Sequence, residues 1–446
     1  MLHRFYGGIR PADRKAATRD LPICDMEHQP PRVVLPLTLY AGVTAEPCVK
    51  VGDSVSAGQP VARTAGGFAV LSGVSGAVTA VELWANTRGG QTLSVVVEND
   101  GEGRAAPTLK RPDDRENMTA KQLAALFNEA GIVGMGGAGY PTGAKLLAAV
   151  GTADTLILNG IECEPYCTAD GRLLVEMPEK VIGGGRILMR ALGLKHCTIA
   201  VGGDKTQGVA ALENLLPLRG GDISVKTLRV KYPQGSEKQL IQRLTGRQIP
   251  PEGRPGDVGC AVFNVATAAA IFDAVEWGKP LTERIVTLTG SAATAPKNLR
   301  VTLGTPLEFL TEGVGEELRG TGGPARLLVG GPMMGTAQTD LSAPVTAGVN
   351  SLVLLRHGDY LPALRREPIC IRCGKCVAAC PMKLLPLAIS EAWSRGRFEE
   401  LPTLHPTDCM GCGACSYVCP GHVPLTESVR DAKEFLREKE REAGEP

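Results

Sequence analysis

A chain of 446 residues has room for roughly two to four domains and a sizeable core. Its 48 Lys+Arg against 47 Asp+Glu leave a formal net charge of +1, so nothing draws it to nucleic acid or to an acidic polymer. No apolar run reaches the ~18 residues of a membrane span, and the start Met1-Leu-His-Arg-Phe-Tyr-Gly-Gly-Ile lacks the charged segment and apolar core of a signal peptide; a cytosolic location is expected, with any membrane attachment made through a partner.

Residues 1–105 are rich in Val, Gly and Pro. Val33-Val-Leu-Pro-Leu and Leu93-Ser-Val-Val-Val read as short strands. Val51-Gly-Asp-Ser-Val-Ser-Ala-Gly-Gln-Pro-Val-Ala and Ser72-Gly-Val-Ser-Gly-Ala-Val-Thr-Ala-Val read as turn-linked hairpins. Biotinyl and lipoyl carrier domains share that pattern but carry a lysine at the tip between the hairpins. The stretch Arg63-Thr-Ala-Gly-Gly-Phe has none, so a structural barrel-sandwich with an N-terminal arm is expected. Residues 104–117, with Pro107 and Pro112, read as a linker.

Thr119 is expected to open a helix. Gln122 completes a capping box, and Leu123, Leu126, Phe127 and Ala130 share one face. Helices and strands then alternate to about Gly290. Thr155-Leu-Ile-Leu-Asn, Cys197-Thr-Ile-Ala-Val and Ile223-Ser-Val-Lys-Thr-Leu-Arg-Val read as strands, and Pro178 suits the first residue of a helix running to about Leu192. Such alternation implies an α/β layer with a largely parallel sheet. Residues 291–355 are β-rich around Pro306 and Gly330-Gly-Pro-Met-Met-Gly. A strongly charged helix near residues 426–441 reads as a solvated face.

Eight of the fourteen cysteines lie between Cys370 and Cys419. Structural disulfides are rare in the cytosol, so clustering of this kind points to metal. Cys370-x-x-Cys373-x-x-Cys376-x-x-x-Cys380-Pro381 is followed by Cys409-x-x-Cys412-x-x-Cys415-x-x-x-Cys419-Pro420. Three thiolates on one tight loop reach three irons of a cubane, and the fourth, before a proline, points to the other cluster. One four-iron, four-sulfur cluster is therefore expected on Cys370, Cys373, Cys376 and Cys419, the other on Cys409, Cys412, Cys415 and Cys380. Gly374, Gly411, Gly413 and Ala414 leave room for backbone amides to approach the sulfides. Paired C-x-x-C units also make four-cysteine zinc sites; two complete runs of this spacing are the more specific signature of iron and sulfide. Clusters of this type carry single electrons. Cys24, Cys48, Cys163, Cys167, Cys197 and Cys260 have no ligand spacing, and Cys197 and Cys260 suit the core.

Gly131-Ile-Val-Gly-Met-Gly-Gly-Ala-Gly-Tyr-Pro-Thr-Gly-Ala-Lys145 lies between two expected helices. A turn that only packs those helices is the plain reading. The density of glycine also lets backbone amides meet a phosphate or a flat ring. Pro141 starts a helix whose N-terminus suits an anion, and Lys145 adds a positive charge one turn later. The loop is not a Rossmann fingerprint, which follows a strand, nor a Walker A loop, because Leu146 follows Lys145.

Gly-x-Gly-Gly-Ala-Gly-Tyr-Pro-Thr-Gly-x-Lys resembles the flavin- and NADH-binding loop of the flavoprotein subunit of respiratory complex I. Asn159-Gly-Ile-Glu162-Cys-Glu164-Pro resembles that family's acidic loop, and Tyr232-Pro-Gln-Gly235-Ser-Glu237 its second glycine–glutamate loop. Gly253-Arg-Pro-Gly with Asn264-Val-Ala-Thr267 resembles its asparagine-rich flavin segment. Residues 291–355 look like the β-grasp domain that follows. The whole chain is more similar to the RnfC family of the Rnf electron-transport complexes. Phe5-Tyr-Gly-Gly-Ile-Arg-Pro, the N-terminal barrel-sandwich, Gly330-Gly-Pro-Met-Met-Gly and both cysteine runs carry that resemblance. Rnf members usually have His where Arg10 stands. The complex I family has aspartate at Ile161 and glutamate at Ser236, departures that fall on the nicotinamide side.

The resemblance implies a multidomain α/β and α+β fold: barrel-sandwich at 1–105, FMN/NADH-binding α/β domain at 118–290, β-grasp domain at 291–355 and two-cluster ferredoxin-type domain at 360–446. It implies that Gly134, Gly136, Gly137 and Gly139 line noncovalent FMN and the dinucleotide, with Gly235 in the second loop. Lys145 would meet the flavin phosphate or ring edge. Asn159, Asn264 and Thr267 would hydrogen-bond the flavin, and Glu162, Glu164 and Glu237 would set the polarity where NADH stacks. It implies an oxidoreductase subunit at the cytoplasmic face of the cell membrane, bound to the other Rnf subunits and indirectly to ferredoxin. Two alternatives stand beside it. One is a soluble cobalamin reductase, a family whose barrel-sandwich comes at the C-terminal end. The other is a flavin-free subunit that only carries clusters.

Overall fold

The structure, a computed structural model, describes residues 2–39, 42–107, 109, 114–219, 221–311, 326–356, 358–359 and 367–444. Pro112, residues 312–325 of the expected β-grasp block and residues 360–366 at the start of the cysteine block lie outside the described residues.

The valine-rich N-terminal runs pair antiparallel in two small sheets. One runs in the order Arg32–Pro36, Gln91–Asn99, Gly76–Ala85, Ser54–Val55, and the other in the order Glu46–Pro47, Pro60–Arg63, Ala69–Leu71. Alternation along the strands turns Val33, Leu35, Val61, Val78, Val95 and Val97 into the shared core. The N-terminal block is the expected barrel-sandwich.

A four-stranded, wholly parallel sheet forms the centre, in the order Ile223–Leu228, Cys197–Gly202, Thr155–Gly160, Cys260–Asn264. Thr119 caps helix Ala120–Glu129 with the full capping box, and Pro178 is the first residue of helix Pro178–Leu192. That helix crosses helix Val265–Trp277 at very short range. Gly184 permits the crossing: a Cβ there would stand 1.9 Å from the Ala268 carbonyl oxygen. Cys197 and Cys260 are buried in the core, as expected.

The β-grasp block differs from expectation at its edges. Strand Glu283–Thr289, expected within the α/β domain, pairs antiparallel with Lys297–Thr302 and parallel with Ser351–Leu355. Its antiparallel neighbour follows after only a short turn, so the pairing is local. The strand Ile23–Asp25 from the N-terminal arm joins the same sheet, parallel to Lys297–Thr302.

Helix Leu425–Gly444 is not only a solvated face. Leu425, Val429 and Ala432 are buried, and the last two pack with Ile389 and Leu401 of the cysteine domain. Phe435 meets Trp393 and Phe398 with ring centroids 5.7 and 4.7 Å away. Its charged residues occupy the remaining side, so the helix is amphipathic. Among the described residues no helix is long and apolar enough to cross a membrane.

Candidate functional site

The central sheet changes direction between strands Thr155–Gly160 and Cys260–Asn264. The strands that follow Thr155–Gly160 first add on one side, and Cys260–Asn264 then adds on the other. A crevice at the carboxyl ends of strands at such a switch point is where open α/β sheets hold ligands. Asn264, the last residue of its strand, lies in register with Asn159, the last but one of Thr155–Gly160. The glycine loop lies over this point. It is closed by a bridge between Val133 and Pro141 and by the Gly134 amide donating to the Tyr140 carbonyl.

Gly137 and Gly139 adopt positive φ, and a Cβ on Gly136 would contact Asn264. The loop thus offers a cradle of bare backbone. Helix Thr142–Ala149 starts behind it, with Pro141 as its N-cap. Lys145 pairs with Glu237 and lies 5.5 Å above the Phe263 ring. Glu237 in turn begins helix Glu237–Thr245. Cationic side chain, glutamate, glycine cradle and strand ends therefore share one place. This arrangement fits a flat ring carrying an anionic group, as FMN does: backbone for the ring, an ammonium and a helix N-terminus for the phosphate.

Other expected residues hold the site from behind. Thr267 is buried; its hydroxyl accepts from the Met135 amide at 2.9 Å and donates to the Val133 carbonyl. Its side chain therefore fixes the glycine loop instead of facing a ligand. The Asn159 amide donates to the Gly235 carbonyl at 2.7 Å and joins the acidic loop to the second glycine–glutamate loop. Asn264 caps helix Val265–Trp277 by accepting from the Ala266 amide and donates to Asp170 at 2.7 Å.

Glu162 is the clearest departure from its expected role. Its backbone sits at φ 41°, which turns the carboxylate inward. There it accepts from the amides of Asp170 and Gly171 at the start of helix Ala169–Glu176. The positive end of a helix favours a carboxylate at that position. Two buried lysines complete the anchor. Lys15 donates to the Glu162 carbonyl at 2.6 Å and to Asp204 at 3.2 Å; Lys205 donates to the Ile161 carbonyl at 2.8 Å and to Asp204 at 3.0 Å. Burial opposes charge on Lys15, yet Glu162 and Asp204 outweigh it and raise its pKa. Burial and the neighbouring Lys15 hold Lys205 below the usual lysine value. Burial, with Glu162 nearby, pushes the Asp170 carboxyl up to about 6.

Sequence reasoning missed Lys15, Asp204, Lys205 and Arg284. Arg284 is buried beneath the glycine loop, donating to the carbonyls of Met135 and Ala347. A lone arginine in the apolar run Glu283–Thr289, and Gly-Gly-Asp-Lys directly after strand Cys197–Gly202, were the available signals.

Glu164 also turns away from the glycine loop. Its carboxylate accepts from the amides of Met333 at 3.3 Å and Met334 at 2.8 Å, within Gly330-Gly-Pro-Met-Met-Gly. Burial pushes this carboxyl up to about 7. The Met333 carbonyl packs against Gly413 so closely that a Cβ there would lie 2.8 Å from it.

Cys380, Cys409, Cys412 and Cys415 line a single cavity. Cys376 lies near both Cys415 and Cys419 of the second run. Amides of Leu384 and Gly411 donate to the sulfurs of Cys380 and Cys409, and the Arg372 amide to that of Cys370. Among the described residues no three Cys, His, Asp or Glu side chains converge on a single-ion site; a cubane instead takes four thiolates around its corners. The cavity lined by Cys380, Cys409, Cys412 and Cys415, with the N–H···S contacts to Cys380 and Cys409, fits that donor pattern. The two domains touch directly, through the Tyr232 hydroxyl, which donates to the Cys412 carbonyl at 2.8 Å.

Three family descriptions match the chain: "RnfC Barrel sandwich hybrid domain" over residues 3–102, "Nuo51 FMN-binding domain" over 127–273 and "4Fe-4S dicluster domain" over 369–423. The C component of the Na(+)-translocating ferredoxin:NAD(+) oxidoreductase complex of Acetobacterium woodii is 37% identical over 434 residues, 96% of each chain. The proton-translocating counterpart of Clostridium ljungdahlii is 36% identical over 90% of this chain and 86% of that one. The C component of the ion-translocating oxidoreductase complex of Klebsiella pneumoniae is 38% identical over 99% of this chain, which spans 58% of that longer relative. An NAD+-reducing [NiFe]-hydrogenase crystal structure aligns with TM-score 0.50 and 19% identity, over 75% of this chain and 64% of that chain, a likeness of fold. With barrel-sandwich, FMN-type and dicluster modules in the same order and identity sustained along its length, the chain belongs to the RnfC family, the C components of ion-translocating oxidoreductase complexes.

Proposed function

We propose that this chain is the peripheral subunit of a membrane-bound, ion-translocating complex that passes electrons, in either direction, between NADH/NAD+ and two four-iron clusters by way of FMN, coupled to ferredoxin oxidoreduction. Bound FMN would take a hydride as two electrons and release them singly, and two cubanes would carry them onward. The observation that supports this best is the continuous path from the switch point to the cysteine sets: Asn159 to Gly235, and three residues before it Tyr232, which donates to the Cys412 carbonyl. Gly134, Gly136, Gly137 and Gly139 would receive the flavin, and Lys145 with the helix behind it its phosphate. Glu237, paired with Lys145, would border the nicotinamide. Glu162, Asn264 and Thr267 would keep the cradle in shape. No side chain is required to move a proton for hydride transfer itself.

Ion movement would belong to other subunits of the complex, which this chain would join at the cytoplasmic face. Anaerobic NADH addition to FMN- and cluster-loaded protein, followed by visible and EPR spectra, tests the proposal. Flavin bleaching together with reduced-cluster signals is expected. Iron and sulfide with no flavin uptake would favour the flavin-free alternative, and bleaching without cluster reduction would overturn the internal path.

A further inference from the structure

The two cysteine sets differ in what they touch. The hydrogen bonds that join the flavin side to the cysteine domain at Tyr232, Gln239 and Gly8 fall beside one of them. The Tyr232 hydroxyl reaches the Cys412 carbonyl. The Met333 carbonyl, held by Glu164 through the neighbouring amides, packs on Gly413. Gln239, on helix Glu237–Thr245, donates to the Met382 sulfur at 3.5 Å, two residues from Cys380. The N-terminal arm wedges between: the Gly8 amide donates to the Ala379 carbonyl at 2.8 Å, and Ile9 pairs with Tyr232 in both directions. A Cβ on Gly7 would lie 2.4 Å from the Cys380 carbonyl oxygen. Tyr232, Ile9, Ala379, Cys412 and Ala414 form one buried apolar cluster, with Cys163, Met333, Met410 and Val418 at its edge; at Val418, beside Cys419, the other set comes near it.

The other set faces away. Cys380 and Cys412 are each 7% exposed, whereas Cys370 and Cys373 are exposed. Ile369 and Ile371, which flank Cys370, are 64% and 65% exposed.

We propose an order for the two sets, resting on the flavin reading above. Electrons enter at Cys380, Cys409, Cys412 and Cys415, pass to Cys370, Cys373, Cys376 and Cys419, and leave at the exposed Ile369–Cys373 turn. Tyr232 is the positioning residue that fixes the entry set against the flavin loops. No covalent bond changes in this passage: each electron gained by the entry set is lost to the exit set, and the two electrons of one hydride pass in turn. A short, buried, hydrogen-bonded contact on the entry side and an open rim on the exit side are the arrangement such an order requires.

The test uses the loaded full-length protein, exposed briefly to a ferrous chelator with iodoacetamide present. Mass spectrometry of the alkylated cysteines identifies which set is released first. Freeze-quench EPR after NADH then reads whether the surviving cluster still accepts an electron. The expected result is alkylation at Cys370 and Cys373 with loss of one of the two signals, while the other remains reducible by NADH. First alkylation at Cys409 and Cys412 would overturn the order, as would a survivor reducible by dithionite but not by NADH. Untreated protein run in parallel separates the two readings. If NADH reduces neither cluster there, the flavin route falls and the order with it; if it reduces both there but not the survivor, the order alone falls. The Tyr232→Phe variant gives a second readout, a changed spectrum or midpoint potential in the entry cluster only. A change in both clusters, or in the exit cluster alone, would contradict its positioning role.

Discussion

The Tyr232 hydroxyl donates a 2.8 Å hydrogen bond to the carbonyl of Cys412, across the boundary between the α/β domain and the cysteine domain. Both groups are buried, so removing the donor leaves a carbonyl without a partner. Such a loss costs about 1–3 kcal/mol. Tyr232→Phe should therefore retain its iron and flavin content and unfold at lower denaturant concentration. The measurement is a urea titration of the loaded protein, with iron and flavin assayed before unfolding. An unchanged midpoint would mean that the contact does not hold the domains together.

Lys145 places a cationic side chain beside the glycine cradle and within the first turn of helix Thr142–Ala149. A charge-assisted hydrogen bond to a phosphate is worth about 1.5–3 kcal/mol, so Lys145→Ala should weaken FMN binding by roughly 10- to 100-fold. Quenching of flavin fluorescence on titration reads this directly. Iron per chain should be unchanged, because Lys145 makes no described contact with the cysteine domain. Loss of both cofactors together would show that the two sites fold as one unit.

The cysteine runs and the glycine loop were legible because their chemistry is written at short spacing. Thr119, Pro178 and the apolar strands were legible for the same reason: capping and periodicity are local. Lys15 was not, since its partners Glu162 and Asp204 lie far along the chain. Glu162 misled for a physical reason as well. The family resemblance put Glu162 beside the nicotinamide, but its left-handed backbone and the nearby helix start turn the carboxylate inward. The boundary near residue 290 failed because strand Glu283–Thr289 is apolar enough for either sheet, and only its pairing decides.

Glu164 carries a pH prediction. Its carboxyl titrates near 4.5 in an unperturbed chain and is pushed up to about 7 by burial in the fold. Between those values the folded protein holds a proton that the unfolded chain has released, so stability falls as pH rises through that window. Above about 7 both states are ionised and the penalty is constant. Glu164→Gln keeps an acceptor for one of the Met333 and Met334 amides, turns its NH2 toward the other and cannot ionise. The lost hydrogen bond lowers its stability at every pH, but its melting temperature should vary less than wild type between pH 5 and 7 (roughly these limits). Parallel curves for the two proteins would remove Glu164 as the cause.

Lys205 is buried against Asp204 and the carbonyl of Ile161. Truncating one partner of a buried ion pair costs about 3–5 kcal/mol when the other charge is left unpaired; Lys15 stays on Asp204, so the low end, about 3 kcal/mol, is expected. Lys205→Met should destabilise by that amount in urea and also loosen the acidic loop, which reads out as weaker FMN binding. Arg104→Ala is the control: its pairs with Asp100 and Glu102 lie at the surface, where solvent screens them and little stability is lost. Equal losses in the two variants would contradict the anchoring role.

Gly7 tests the N-terminal arm as the clamp between domains. Its φ of 61° already disfavours any residue with a side chain, and a Cβ would lie 2.4 Å from the Cys380 carbonyl oxygen, which is backbone and cannot swing aside. Gly52 separates the two costs, because its φ is 94° and nothing lies within 4 Å of its Cβ position. Gly52→Ala should show only the conformational penalty, about 1–2 kcal/mol. Gly7→Ala should show that penalty and the steric one together. It should also raise hydrogen exchange at Gly8, Ile9 and Tyr232, whose amides donate to Ala379, Tyr232 and Ile9 in the intact clamp. If exchange at those amides stays at the wild-type rate while stability drops, the arm is merely strained by the substitution and does not hold the cysteine domain in place.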